Sequence, residues 1–183
     1  MITDKSSNLM RFDYAVNIIL EHEGGYTNDA DDPGEETKFG ITNNDLKIYA
    51  KQLDFPLDVT NISRSQAINF YEQVFWNKYH YNEIHSLSIA TKIFDMAVDM
   101  GAHEAHELLQ RALSYCGYTQ IKVDGILGIQ TIEDINEVCL HGRESDLMYE
   151  LIEEAKYFYE QLVKEKPILN KFLKGWLARA SWS

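Results

Sequence analysis

The segment around Glu23 carries the side chains best suited to chemistry. Glu23 follows an apolar helical stripe, Asp32 lies nine residues further on in a polar turn, and Thr37 follows five residues after that. Hydrolysis of a glycosidic bond needs a carboxylic acid to protonate the leaving oxygen, and usually a second carboxylate. A sheltered, partly apolar position keeps the first carboxyl protonated near neutral pH. Residue types alone therefore make Glu23 a candidate acid, Asp32 a candidate ionised partner and Thr37 a candidate for positioning water.

A plainer interpretation of the same segment is a helix end followed by an acidic loop. Asp29, Asp31 and Asp32 are oxygen ligands of the kind that calcium prefers, but their spacing differs from that of an EF-hand. The histidines show no metal-binding spacing with Cys116 or Cys139. We expect no metal, no cofactor and two buried, reduced thiols.

Local sequence signals predict the elements that hold these residues. An apolar stripe from Phe12 to Leu20 predicts a helix that ends at Gly24, because glycine suits a left-handed turn. The turn-rich stretch 26–41 predicts two short strands in a small hairpin. Capping-box patterns at Thr42 and Ser63 predict the starts of the next two helices.

Helical periodicity continues to the C-terminus. Apolar positions predict further helices around 87–100, 105–113, 131–140, 147–162 and 169–177. Asp95 and Asp99 lie four residues apart, on one face of the predicted helix. They are interpreted either as partners of site residues or, in the favoured interpretation, as hydrogen-bonded groups of the core. His103 and His106 are expected on a helix surface. No linker separates the two halves, so one mainly helical body is expected.

Composition limits the partners of this chain. Its 183 residues include 17 Lys and Arg against 29 Asp and Glu, a formal net charge of −12. Such a charge is repelled by phosphate backbones and anionic membrane surfaces, so nucleic-acid binding is not expected. The start of the chain is polar, so no secretory signal is expected, and no apolar run reaches the roughly 18 residues of a membrane span.

Two ordered sets of motifs resemble a known enzyme family. The runs Glu23-Gly24-Gly25-Tyr26 and Asp32-Pro33-Gly34-Glu35-Glu36-Thr37-Lys38-Phe39-Gly40-Ile41-Thr42 are similar to the signature of glycoside hydrolase family 108. This family contains phage endolysins and bacterial muramidases with a lysozyme-like fold. Its pattern has a glutamate, two glycines, an aromatic residue, Asp-Pro-Gly-Gly, a threonine and Gly-Ile-Thr. The resemblance implies that Glu23 is the catalytic acid.

The C-terminal half resembles the predicted peptidoglycan-binding region that usually accompanies this family. The matching runs are Phe94–Gly101, Leu109–Leu113, Val123–Thr131 and Gly175–Arg179. The resemblance implies a mainly α, lysozyme-like fold with a small β-hairpin beside the active-site cleft. It also implies a catalytic region over 10–92 and a peptidoglycan-binding region over 93–181, packed as one body.

The sequence differs from the patterns of related enzymes at two points that concern the second carboxylate. The order of Glu23, Asp32 and Thr37 is similar to that of phage lysozymes with a glutamate–aspartate–threonine site, whose last interval is one residue longer. Glu35 replaces the second glycine of the family's Asp-Pro-Gly-Gly run. Either Asp32 or Glu35 is then the second carboxylate, and a solvated turn residue is the favoured interpretation of Glu35.

The implied reaction is hydrolysis of the β-1,4 bond between N-acetylmuramic acid and N-acetylglucosamine. Glu23 protonates the leaving oxygen, while Asp32 and Thr37 orient water or stabilise the developing charge. Direct attack by water inverts the anomeric centre and is favoured over retention. We expect substrate contacts from Tyr26, Asn28, Lys38, Phe39, Gly40 and Trp76.

Two other functions remain open at this point. A lytic transglycosylase also works with one glutamate but releases 1,6-anhydro products, and a wall-binding module would not turn over. The protein is expected to be made in the cytoplasm and to act, as a monomer, in the periplasm or at the cell wall. It would reach the wall through a holin during phage lysis, or with an export system. Because walls are often anionic, recognition by this acidic chain requires a shaped cleft.

Overall fold

The computed structural model describes residues 5–24, 26–27 and 37–182 of the chain. The chain divides into two compact units, Met1–Lys78 and Tyr79–Ser183. The described residues are mainly α-helical, as predicted. The division into regions 10–92 and 93–181 rests on sequence resemblance and stays a prediction. Among the described helices, none is both long and apolar enough to cross a membrane.

Within its described residues, the first unit combines three α-helices with a small sheet. Its elements are α1 (Lys5–Glu23), β1 (Tyr26–Thr27), β2 (Thr37–Lys38), β3 (Ile41–Thr42), α2 (Asn43–Leu53), a 3₁₀ helix (Val59–Asn61) and α3 (Arg64–Tyr71), which continues as a π-helical turn (Glu72–Trp76). Predicted starts of α2 and α3 are confirmed: Thr42 and Ser63 each form a capping box with the residue three positions later.

The sheet has three antiparallel strands in the order β1-β2-β3, one more than the predicted hairpin. Tyr26 pairs with Lys38, and Lys38 also pairs with Ile41. Phe39 and Gly40 form the turn between β2 and β3, with φ of 56° and 75°. Two consecutive positive φ angles match the right-handed twist of a two-residue hairpin, which is why the turn is tight.

Helix α1 ends where the sequence predicts. Its buried face carries Phe12, Val16 and Ile19, and its last residue is Glu23. Gly24 has a φ of 70° and donates its backbone N–H to the Leu20 carbonyl. A residue with a side chain would be strained in this left-handed conformation, so glycine ends the helix at this position.

The second unit is a helical bundle. Its elements are a 3₁₀ helix (Tyr81–Glu83), α4 (Leu87–Met100), α5 (Ala102–Tyr115), α6 (Ile129–Leu140), α7 (Glu144–Glu165), a 3₁₀ helix (Pro167–Leu169) and α8 (Asn170–Ala180). Helix α5 packs on α4 and α7, and α7 packs on α8. Pro167 follows the end of α7, because proline cannot donate the next helical hydrogen bond.

Buried polar groups tie the last helix of this unit to α4. The Arg179 guanidinium donates to both carboxylate oxygens of Asp95 and to Asp99, and Tyr159 donates its hydroxyl to Asp99. The Lys92 ammonium donates to the Ala180 carbonyl at 2.6 Å. The favoured interpretation of the two aspartates as hydrogen-bonded core groups is confirmed.

The prediction that His106 lies on a helix surface is wrong. Its ring is 1% exposed, with Nε2 2.9 Å from the Tyr81 hydroxyl and Nδ1 3.3 Å from the Gly125 carbonyl. Burial lowers the pKa of His106 to about 4. The imidazole is therefore neutral in the core at physiological pH. His103, by contrast, is exposed.

Candidate active site

Helix α1 presents Glu23 at its C-terminal end, half-buried beside the β2–β3 turn. A Cβ atom built on Gly40 would lie 2.5 Å from Oε2 of Glu23 and 2.6 Å from the hydroxyl oxygen of Tyr71. Real Cβ atoms do not approach other heavy atoms so closely. The Glu23 carboxyl and the Tyr71 hydroxyl thus meet at the space that the missing side chain of Gly40 leaves open.

Tyr71 fixes the turn that lies against Glu23. Its hydroxyl donates to the carbonyl of Phe39 at 2.7 Å, and its side chain is 1% exposed. The ring packs on Phe70 and Phe75 at centroid distances of 5.5 and 6.0 Å. A ring wedged in this way places its hydroxyl rigidly, so α3 determines where the turn sits relative to Glu23.

Tyr71 uses its single hydroxyl hydrogen to hold the turn. A phenol has one hydrogen, and Tyr71 donates it to the Phe39 carbonyl. The phenol therefore fixes the β2–β3 turn beside the Glu23 carboxyl.

Strand β2 carries two other predicted site residues. Thr37 is half-buried and pairs with Thr27 on one side and Thr42 on the other. The Lys38 ammonium donates to the Thr60 carbonyl at 2.7 Å and lies 5.8 Å from the Phe39 ring centroid. Lys38 thereby anchors the sheet to the 3₁₀ helix, and its contact with substrate stays a prediction.

Other predicted site residues lie partly or wholly outside the described residues. Asn28, Asp32 and Glu35 belong to the segment 28–36, which the structure does not describe. Tyr26 is placed by its backbone in β1. The structure thus brings Glu23 together with the 37–42 hairpin, and the choice between Asp32 and Glu35 as second carboxylate stays open.

The buried position of Trp76 contradicts the prediction that this residue contacts the substrate. Its side chain is 1% exposed, and its ring lies 5.7 Å from that of Phe12, centroid to centroid. A buried ring offers no free face to a sugar, so Trp76 belongs to the core beneath α1.

Tyr71 is the site residue that sequence reasoning missed. Its ring lies in the core of the first unit. A tyrosine in place of phenylalanine at such a position signals that the hydroxyl has a partner. That partner, Phe39, is 32 positions away in the chain, so the sequence did not reveal it.

The described residues hold no group of three or more His, Cys, Asp or Glu side chains placed to bind a metal ion. Both cysteines are free thiols in the second unit. Burial raises the pKa of Cys139 to about 11 and also raises that of Cys116. Both thiols are protonated at neutral pH, so neither is set up as a nucleophile.

Comparisons with known proteins bear on both units. A family model described as Glycosyl hydrolase 108 matches residues 9–101, and one described as Predicted Peptidoglycan domain matches residues 104–181. The solved structure of Brucella abortus SagA is similar with a TM-score of 0.73 and 22% identity, over 94% of this chain and 91% of that chain. No curated protein matches the chain. The predicted fold class, mainly α and lysozyme-like with a small antiparallel sheet, is confirmed.

Proposed function

Because the chain belongs to the glycosyl hydrolase 108 family, we propose that it cleaves the β-1,4 bond between N-acetylmuramic acid and N-acetylglucosamine. Membership makes the protein a glycoside hydrolase. The match of residues 104–181 to a peptidoglycan domain supports peptidoglycan as its substrate. The proposal adds which bond is cut and which residues cut it.

The meeting of Glu23, Gly40 and Tyr71 is the observation that supports this proposal. A carboxyl at the end of a rigid helix lies over a turn whose glycine has no side chain. Bare backbone beside an acid lets a polymeric substrate approach the proton donor closely. Tyr71 holds this turn in place through its hydrogen bond to the Phe39 carbonyl.

The proposed reaction has one proton donor and one water. Glu23 gives its proton to the glycosidic oxygen as the bond from that oxygen to the anomeric carbon breaks. Water, oriented by Asp32 with Thr37, attacks the anomeric carbon from the opposite face and gives its proton to Asp32. Inversion by this route needs the two carboxyl groups roughly 6.5–9.5 Å apart.

Substitution of Glu23 by glutamine tests the proposal. We expect Glu23→Gln to release soluble muropeptides from purified sacculi about a hundred- to ten-thousand-fold more slowly, the usual contribution of a general acid. Glu21→Gln removes the same charge from an exposed position on α1 and should keep full activity. Equal release by Glu23→Gln and the unmodified protein would contradict the role of Glu23.

Mass spectrometry of the released products tests the reaction type. Hydrolysis leaves reducing ends, whereas a lytic transglycosylase leaves 1,6-anhydro ends that are lighter by one water. Anhydro products would replace the proposed hydrolysis by transglycosylation. Binding to sacculi with no soluble product would indicate a wall-binding protein without turnover.

We propose further that the protein acts as a monomer in the periplasm or at the cell wall, where peptidoglycan lies. It would reach the wall through a holin during phage lysis or with an export system. Cell fractionation with and without such a partner gene tests the route. Light scattering of the purified protein tests the oligomeric state.

A further inference from the structure

The turn that joins α7 to α8 is positively charged, although the chain as a whole has a formal net charge of −12. We call residues 164–174 the basic tip. Its single carboxylate is that of Glu165, and its exposed cations are Lys164, Lys166, Lys171 and Lys174. The excess of negative charge in this protein is therefore not spread evenly over the second unit.

The charges of these lysines are not neutralised by neighbouring carboxylates. None of the four makes an ion pair with a carboxylate of the described residues, whereas Lys156, earlier on α7, pairs with Glu153 at 3.0 Å. Apart from Glu160 and Glu165, the carboxylates of α7 lie at least roughly 15 Å from Lys164 along the helix. That separation exceeds the screening length of about 8 Å at physiological salt. The tip thus presents a local positive potential to its surroundings.

An exposed apolar side chain lies among these lysines. Ile168 is 82% exposed and belongs to the 3₁₀ helix Pro167–Leu169, none of whose residues is buried. The Lys171 ammonium lies 4.9 Å from the ring centroid of Phe172, which is half-buried. Apolar side chains flanked by lysines are typical of segments at a membrane–water interface, where the apolar groups enter the headgroup layer and the cations meet anionic lipids.

The basic tip is held in one conformation by the helices behind it. The Trp176 ring on α8 stacks on Tyr159 of α7 at a centroid distance of 5.1 Å. The backbone N–H of Leu169 donates to the Lys166 carbonyl at 2.9 Å. A surface that is already formed loses little conformational entropy on binding.

Charge and exposed apolar surface together favour a lipid surface over a soluble polyanion. A long polyanion such as a nucleic acid needs an extended basic surface, and the acidic remainder of this chain repels it. A planar membrane needs contact with the basic tip alone. Ile168 gains free energy when it leaves water for a lipid layer but has no counterpart on a polyanion.

We propose that the basic tip docks on a bilayer surface that contains anionic phospholipids, with Ile168 among the headgroups. The lysines remain at the level of the lipid phosphates, so the contact is peripheral. The net charge of the chain predicts repulsion from such a surface, but that repulsion is overcome locally at the tip. The proposal does not depend on which bond the protein cleaves.

Flotation with lipid vesicles tests the proposal. The full chain is mixed at physiological salt with vesicles of phosphatidylglycerol and phosphatidylcholine in equal amounts, or with vesicles of phosphatidylcholine alone. We expect the protein to float with the first kind of vesicle and not with the second, and to be released as the salt concentration rises. The vesicles contain no peptidoglycan, so the result is independent of the proposed hydrolysis.

Substitution of two lysines tests the location of the contact. Each lysine near an anionic surface contributes about fivefold in affinity, so Lys166→Gln with Lys171→Gln should weaken binding to the phosphatidylglycerol vesicles roughly 25-fold. Lys47→Gln with Lys51→Gln removes the same charge from exposed positions of α2 and should leave the affinity unchanged within about twofold.

Substitution of Ile168 tests the apolar contribution. Ile168→Ser should weaken binding at least about fivefold. Leu57 is equally exposed, at 82%, and Leu57→Ser is the matched control that should bind as the unmodified chain does.

Several results would overturn the proposal. Absence of binding to the phosphatidylglycerol vesicles is one, and equal binding to both kinds of vesicle is another. Unchanged affinity of the lysine variant would place the contact elsewhere on the chain. Binding to dextran sulfate, a soluble polyanion, without binding to vesicles would identify the tip as a polyanion site instead.

Discussion

Substitution of Gly40 by alanine tests whether the β2–β3 turn positions the proton donor. The added Cβ would lie 2.5 Å from Oε2 and 2.7 Å from Cδ of Glu23, and 2.6 Å from the Tyr71 hydroxyl oxygen. These separations are too short, so an atom must move. Tyr71 is held by its ring packing and its bond to Phe39, whereas the Glu23 carboxyl is the end of a flexible side chain. We expect Glu23 to move.

The size of the effect follows from two separate costs. Displacing a catalytic group by about 1 Å costs on the order of a hundredfold in rate. A non-glycine residue at the φ of 75° found for Gly40 costs roughly 1–2 kcal/mol of stability. The variant should therefore remain folded while releasing muropeptides about a hundredfold more slowly.

A matched control separates the displacement from the backbone strain. Gly142 has a φ of 73°, and no described atom lies within 4 Å of a Cβ built on it. Gly142→Ala should lose a similar roughly 1–2 kcal/mol in urea unfolding and keep full activity. The reasoning is refuted if Gly40→Ala keeps full activity, or if Gly142→Ala loses as much activity as Gly40→Ala.

Three further substitutions probe the contacts around the site and in the second unit. Tyr71→Phe removes the hydrogen bond to the turn, so the free energy of unfolding in urea should fall by about 1 kcal/mol. The rate of muropeptide release should fall at least severalfold. An unchanged rate would exclude a positioning role for Tyr71. Arg179→Leu removes the cation that pairs with Asp95 and Asp99 and should destabilise the chain by about 3–5 kcal/mol in the same unfolding assay. Lys174 is an exposed cation on the same helix, and Lys174→Leu should leave the stability unchanged. The pKa of His106 is lowered from 6.5 to about 4 in the fold, so between these pH values the unfolded chain binds the proton and stability falls as pH falls. The unmodified protein should lose up to about 3 kcal/mol more than His106→Gln over that range, and parallel pH profiles would contradict the assignment.

Local signals in the sequence determined the element boundaries that matter for the site. The capping boxes at Thr42 and Ser63 involve residues three positions apart, and Gly24 ends α1 through its own backbone conformation. Such effects act within one helical turn, so short stretches of sequence suffice to predict them. The place of Glu23 at the end of α1 follows directly.

The family resemblance added a predicted function to the helix and strand boundaries that local signals predict. Motifs such as Glu23-Gly24-Gly25 and Gly40-Ile41-Thr42 are too short to be specific one at a time, but their order along the chain identified the family correctly. The resemblance strengthened the assignment of Glu23 as proton donor, which the residue types had already suggested and which the Glu23→Gln variant tests.

Only the tertiary structure decided which distant residues meet. Tyr71 bonds to Phe39 across 32 positions, and Arg179 bonds to Asp95 across 84. Trp76 has the size and chemistry of a sugar-stacking residue, yet its ring is buried against Phe12. Apolar periodicity says that a side chain faces the core, but not which side chain packs against it. Pairing over such separations depends on how whole helices pack, and no local pattern records it.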